Sequence, residues 1–250
     1  MMGVSVMRTS MRRIAVAGLA VFTLIVAAGC VQVEIPVPET TSDSDSIDAG
    51  GADELVATIE MGAGRLTITG GALGAMDADY DFTDADWRPE VRYDVHDAEG
   101  LLSVRAPSEP RFNLSGQMRY EWRIALSDEM PLDLSVTMGA GEANLDLGSL
   151  DLRRLQVTLG AGDATIDLVG DAQHDLVADI TAGAGAVTLR VPSDVGVRVV
   201  GYQDGLGSYR ADGFAQDGNA LVNDAYEDAD VRFEITLRRG LGDVTIETVE

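Results

Sequence analysis

Apolar and polar residues alternate along most of this chain, and from residue 132 the alternation is broken by one recurring step. Met138-Gly-Ala-Gly-Glu-Ala-Asn-Leu-Asp-Leu147 is followed by Leu159-Gly-Ala-Gly-Asp-Ala-Thr-Ile-Asp-Leu168 and by Ala182-Gly-Ala-Gly-Ala-Val-Thr-Leu-Arg-Val191. After each small-residue step, apolar residues fall at every second position: Ala143, Leu145 and Leu147, then Ala164, Ile166 and Leu168, then Val187, Leu189 and Val191. A period of two puts one face of a strand in a core and the other in water. A second alternating run precedes each step, through Leu134, Val136 and Met138, through Leu155, Val157 and Leu159, and through Leu176, Ala178 and Ile180.

Each unit therefore predicts strand, Gly-Ala-Gly corner, strand and connection. The units recur every 21–23 residues, with glycines at 139, 160 and 183. One unit cannot bury its apolar face alone, and stacked copies would share an interior. The predicted fold is all-β, a β-solenoid resembling a parallel β-helix, preceded by a β-rich N-terminal segment.

The pattern divides the chain further. Arg8, Arg12 and Arg13 precede an apolar run from Ile14 to Ala28, which ends Val26-Ala27-Ala28-Gly29-Cys30. A basic start, a run of this length and small residues before a lone cysteine read as a lipoprotein signal peptide over 1–29, with Cys30 lipidated. Arg12-Arg13 also admits a twin-arginine reading. Residues 30–53 are rich in Pro, Ser, Asp and Gly, the composition of a disordered acidic linker. Residues 54–130 hold the N-terminal β segment. It begins with a copy of the unit, Met61-Gly-Ala-Gly-Arg-Leu-Thr-Ile-Thr69, and continues with strand patterns at Val91–Val95, Leu101–Arg105 and Gln117–Leu126. Gly100 is the predicted hairpin turn. Residues 131–250 hold the solenoid repeats and a C-terminal cap. Looser units begin at Gly205 and Gly240, and an insertion over 212–230 would cover the exposed core or meet a partner.

Charge narrows the function. The net charge is −24, and all 18 basic residues are arginine. Phosphate repulsion argues against nucleic-acid binding. The acidity fits a solubilising surface or a salt-rich host. Asp77, Asp79, Asp81, Asp84 and Asp86 invite a calcium reading, but Phe82 stands where a calcium loop needs glycine and Arg88, beside Pro89, where it needs glutamate. A solvated acidic loop is predicted over 77–86, with no metal and no cofactor. His96 and His174 lack the spacing of a zinc site. No nucleophile elbow or phosphate-binding loop is present. Asp146 and Asp167 would stack on consecutive coils with Arg190 as the next rung.

Glu60-Met-Gly-Ala-Gly-Arg-Leu-Thr-Ile, Pro89-Glu-Val-Arg-Tyr-Asp-Val, Pro131-Leu-Asp-Leu-Ser-Val-Thr-Met-Gly-Ala-Gly-Glu-Ala, Gly205-Leu-Gly and Gly240-Leu-Gly-Asp-Val-Thr-Ile occur in that order. Together they resemble the toast-rack family over residues 54–250, a family related to the extracytoplasmic part of cell-wall-active antibiotic response proteins. The resemblance implies a β-solenoid-like domain beside a membrane anchor, and it carries no catalytic residues to transfer. Members with an envelope-stress role usually have several transmembrane helices, and none is predicted here after residue 30.

The expectation is a membrane-anchored extracytoplasmic lipoprotein presenting a non-catalytic β-solenoid for protein interaction, envelope maintenance or stress response. It would sit in the outer membrane where the host has one, and otherwise on the outer face of the cytoplasmic membrane. Expected partners are membrane lipid through Cys30, an envelope protein and further copies of the chain. Two alternatives are a polysaccharide-active enzyme on the same scaffold, with carboxylates on a solenoid face, and a self-associating structural surface protein.

Overall fold

A computed structural model describes residues 40–107, 119–203 and 205–250. The predicted signal peptide, Cys30 and the first part of the predicted linker lie outside these residues, as do the first two positions of the strand pattern Gln117–Leu126. In chain order the strands begin with β1 (Thr41–Ile47), β2 (Glu54–Thr69), β3 (Met76–Phe82), β4 (Glu90–His96), β5 (Glu99–Arg105) and β6 (Tyr120–Leu126). Next come β7 (Leu132–Asp146), β8 (Leu152–Asp167), β9 (Leu176–Ala184), β10 (Val187–Pro192) and β11 (Gly196–Val200). The last are β12 (Tyr209–Asp212), β13 (Phe214–Asp217), β14 (Ala220–Asn223), β15 (Arg232–Leu241) and β16 (Val244–Val249).

The repeats stack as their pattern predicts. Leu134 of β7 lies beside Leu155 of β8, and Leu155 beside Ala178 of β9. One interior column runs Leu102, Ala57, Leu134, Leu155, Ala178, Ile235 and Val199 across parallel strands. Beyond the corner a second column runs Ile124, Ile68, Leu145, Ile166, Leu189, Ile246 and Ala211. Each coil thus has two arms, and the inward residues of both arms form one core, aliphatic along most of the stack with aromatic residues toward its ends.

Stacking order departs from chain order at both ends. The layers run β5/β6, β2, β7, β8, β9/β10, β15/β16 and β11/β12. The first repeat, β2, is therefore an inner layer, flanked by a coil made later in the chain. The last repeat, β15/β16, is inserted between β9/β10 and β11/β12. A simple solenoid would place Gly240 in its outermost coil, and the structure places it one layer inside. Residue 130 marks no break in the stack, since Leu55 pairs with Leu132 and the register continues to Ile68 and Leu145.

Antiparallel strands close most of the ends. β4 covers β5, β3 covers β6 with β1 outside it, and β14 covers β11 with β13 outside it. The predicted cap over 212–230 is thus a hairpin on the first arm of the last layer. Asn223 holds it there: its side-chain amide donates to Val195 O at 2.7 Å, and its Oδ1 accepts from Val197 N at 2.8 Å.

Three sequence expectations give way. The linker expected over 30–53 does not hold for its second half, because Thr41–Ile47 is a strand paired with β3. Its acidity has partners supplied by tertiary structure: Arg88 binds Asp43 and Asp45, and the Ser46 hydroxyl donates to Asp77 at 2.6 Å. The acidic stretch predicted as a solvated loop over 77–86 is strand β3 as far as Phe82, with Tyr80 and Phe82 buried. Gly100 is not the hairpin turn. Asp97 and Ala98 make it, with φ of 50° and 70°, while Gly100 lies in β5 against the Tyr93 ring.

Candidate functional site

The Gly-Ala-Gly corners are the most regular feature of the molecule. Gly64, Gly141, Gly162, Gly185 and Gly242 have φ of 141°, 125°, 120°, 133° and 138°, values open to glycine and strained for other residues. In the column Gly141, Gly162, Gly185, Gly242, an added Cβ would overlap the carbonyl oxygen of the same glycine one layer back. The first glycine of each corner is required for a different reason. Gly139, Gly160, Gly183 and Gly240 need no positive φ, but a Cβ there would also overlap the preceding layer's carbonyl oxygen. The corner is thus two columns of backbone stacked too closely for side chains.

At the N-terminal end of these columns lies a cavity of about 440 Å³. Its lining includes the Gly62-Ala63-Gly64 backbone, Trp87 and Tyr120, an apolar wall of a kind that small-molecule sites commonly have. Two ion pairs stand at it, Arg65–Glu142 at 3.0 Å and Arg119–Glu121 at 3.1 Å. Behind the wall, aromatic rings pack edge to face: Trp87 on Tyr120 at 5.5 Å, Tyr120 on Trp122 at 5.5 Å, and Trp122 on Tyr80 at 5.9 Å. Burial raises the pKa of the Tyr120 and Tyr80 hydroxyls, so both stay neutral. Sequence alternation puts Tyr120 and Trp122 on one face of β6, but nothing local indicated that Trp87, in a short 3-10 turn at Ala85–Trp87, would join them.

Asp81, counted among the loop carboxylates by sequence, is nearly buried. It accepts from the Ser42 hydroxyl at 2.6 Å and from Arg123 at 3.0 Å, with Arg119 at 3.3 Å. Burial pushes its carboxyl pKa up, but the Ser42 and Arg123 hydrogen bonds and the two guanidinium charges outweigh this and hold it below the ordinary aspartate value. A depressed folded-state pKa stabilises the fold above the unfolded value of about 3.9, and the contribution is lost as pH falls through the folded value. Asp81→Asn is therefore expected to melt lower than the parent at pH 7, with the difference shrinking as pH drops from 4 to 2. A constant difference across that range, read by circular dichroism, would show that the ionised carboxylate is not what matters.

The predicted carboxylate ladder forms in register. Asp146 lies beside Asp167, then come Arg190, Glu247 and Asp212. Arg190 binds Asp167 directly. A glycosidase needs two carboxyl groups facing one sugar, one held protonated, and here one of the pair already serves an arginine. Elsewhere on the outer faces carboxylates pair across layers, Asp133 with Arg154 at 3.1 Å and Asp179 with Arg238 at 3.2 Å. His96 ends β4 in solvent, and His174 Nδ1 lies 2.8 Å from Asp151. Among the described residues no group of three or more His, Cys, Asp or Glu could hold a metal ion.

Comparison with known proteins places this architecture. A search of curated proteins finds no match. A solved structure, that of a candidate cell adhesion protein from Clostridium sporogenes, is 25% identical, covers 84% of this chain and 100% of its own, and superposes with a TM-score of 0.77. A candidate adhesin from Bacteroides fragilis is 13% identical over 85% of this chain and 99% of its own, with a TM-score of 0.25, too low to carry an argument. Residues 35–190 match the family model for the N-terminal domain of toast_rack, DUF2154. With its stacked corners in register and more than half its length matched, the chain belongs to the toast-rack family.

Proposed function

We propose that this protein is an extracytoplasmic recognition module without catalytic activity, held at the membrane by lipid on Cys30 and presenting its stack to an envelope or cell-surface protein. The observation that carries this reading is the outer face of the stack. Strands in fixed register hold polar side chains in columns, and pairs such as Asp167–Arg190, Asp133–Arg154 and Asp179–Arg238 tie carboxylates to arginines across layers. A rigid array of this kind suits recognition. Likeness to a solved structure named for cell adhesion supports it. The anchor rests on the sequence before Cys30, where a basic start, an apolar run and small residues precede a lone cysteine.

Two measurements test the reading. Cys30→Ser is expected to move the full-length chain from the membrane fraction to the soluble extracytoplasmic fraction. Retention of the variant at the membrane would remove the anchor. Incubation with isolated envelope polysaccharide is expected to release no fragments. Release that disappears in Asp146→Ala would replace the recognition module with an enzyme.

A further inference from the structure

The two arms of the outermost C-terminal layer end differently. On the first arm β11 is covered by β14 and β13, whereas on the second arm β12 pairs with β16 alone among the described residues. β12 is a repeat strand with one edge open. Exposed apolar side chains gather at this end: Leu206 at 71%, Leu241 at 58% and Tyr209 at 44%. Such an edge is a template for another strand.

We propose that β12 pairs antiparallel with β12 of a second copy of this chain, across a two-fold axis at Ala211. Hydrogen-bond parity limits the possible registers. Val244 N donates to Ser208 O, and the pairing with β16 is parallel. In a parallel ladder the N–H and C=O of one residue point to the same side, and alternate residues point to opposite sides. The backbone groups of Ser208, Arg210 and Asp212 therefore face β16, and those of Tyr209 and Ala211 face outward. An antiparallel neighbour must bond through Tyr209 and Ala211.

Charge chooses among the two-fold registers this allows. Centred between Tyr209 and Ala211, the pairing would set Arg210 against the partner's Arg210. Centred on Tyr209, it would set Arg210 against the partner's Ser208. Centred on Ala211, the two Ala211 residues exchange both backbone hydrogen bonds, and Arg210 faces the partner's Asp212 while Asp212 faces the partner's Arg210. Those side chains lie on the outward face, where Arg210 and Asp212 are 73% and 51% exposed. They fall at the non-hydrogen-bonded position, which brings opposed side chains closest. Tyr209 then lies opposite the partner's Gly213, where no side chain competes for space. The patch is self-complementary, as a two-fold interface requires. The intrachain Arg210–Asp212 pair at 2.7 Å would exchange for two pairs between copies.

Sedimentation equilibrium of the full-length chain, in neutrally buoyant detergent, tests the pairing independently of the anchor and of any other partner. A reversible dimer is expected. Arg210→Asp and Asp212→Arg are each expected to weaken it at least tenfold, because each sets like charges opposite one another. An equimolar mixture of the two variants is expected to recover the parental affinity, since the mixed pair is again complementary. Recovery on mixing separates charge pairing from a folding defect. Ala211→Pro removes an outward N–H while the bonds to β16, made by its neighbours, remain, and it is expected to give monomer. A parental chain that stays monomeric at high concentration overturns the proposal, as does a dimer that ignores both charge reversals.

Discussion

Gly162→Ala is expected to abolish cooperative folding of the stack, while Gly62→Ala, in the same motif, is expected to leave it intact. Gly162 has φ of 120°, where a Cβ is strained. Its Cβ would also overlap the Gly141 carbonyl oxygen. Neither atom can yield locally, because Gly141 and Gly162 sit in strands paired along both arms. Relief would require separating two layers, breaking backbone hydrogen bonds and opening the aliphatic core. Such a change belongs with the exceptional substitutions, costing more than about 4 kcal/mol. Gly62 is the control. A Cβ there meets nothing within 4 Å, because its corner faces the cavity. Urea denaturation followed by circular dichroism distinguishes the two, and a Gly162→Ala midpoint equal to the parent's would refute close stacking as the reason for these glycines.

Arg239→Ala is expected to lower stability by about 3 kcal/mol, and to loosen the last layer before the rest. Arg239 lies in register with Ala182, in the interior column that begins Met61, Met138, Leu159. It is only 7% exposed, and its guanidinium donates to Ser208 O at 2.8 Å, to Gly207 O at 3.0 Å and to Gly242 O. Gly207 and Ser208 belong to the outermost corner, and the arginine binds their carbonyls from inside, sharing the Ser208 oxygen with Val244 N. Truncation would remove three hydrogen bonds from a charged donor, worth roughly 1.5–3 kcal/mol each when fully buried and less here, because Gly207 and Ser208 are exposed and water can replace the guanidinium. Arg239→Met, matching Met61 and Met138 in the same column, is expected to refill the space and recover only part of the loss. Hydrogen exchange is expected to rise at Tyr209–Asp212 first, since local opening follows the weakest layer. Full recovery by methionine would assign the effect to packing alone.

The repeat unit was legible because its signals are local. Period two in Leu134, Val136 and Met138 and in Ala143, Leu145 and Leu147 marks both arms, and the glycines mark the corner between them. The resemblance to the toast-rack family rested on the same local strings. The N-terminal edge is not legible locally, for the opposite reason. Thr41–Ile47 has the composition of a linker, and what makes it a strand is Arg88 and the face of β3, distant in sequence. Asp81 looked like a solvated acid because Ser42, Arg119 and Arg123, its partners, are 39 or more residues away in the case of Ser42 and Arg123. The aromatic wall was hidden because Trp87 and Tyr120 come from separate elements that meet only when the first layers form.

By itself the amino-acid pattern determined the coil: which residues face inward, where it bends, and that like coils must share a core. Tertiary structure alone decided the order of the coils. Every repeat offers nearly the same aliphatic ladder to its neighbours, so alternation cannot say which repeat lies outermost. That choice falls to long-range contacts, β15 entering between β9 and β11 and β2 between β5 and β7, and it is what leaves β12, among the described residues, as the repeat strand with an open edge.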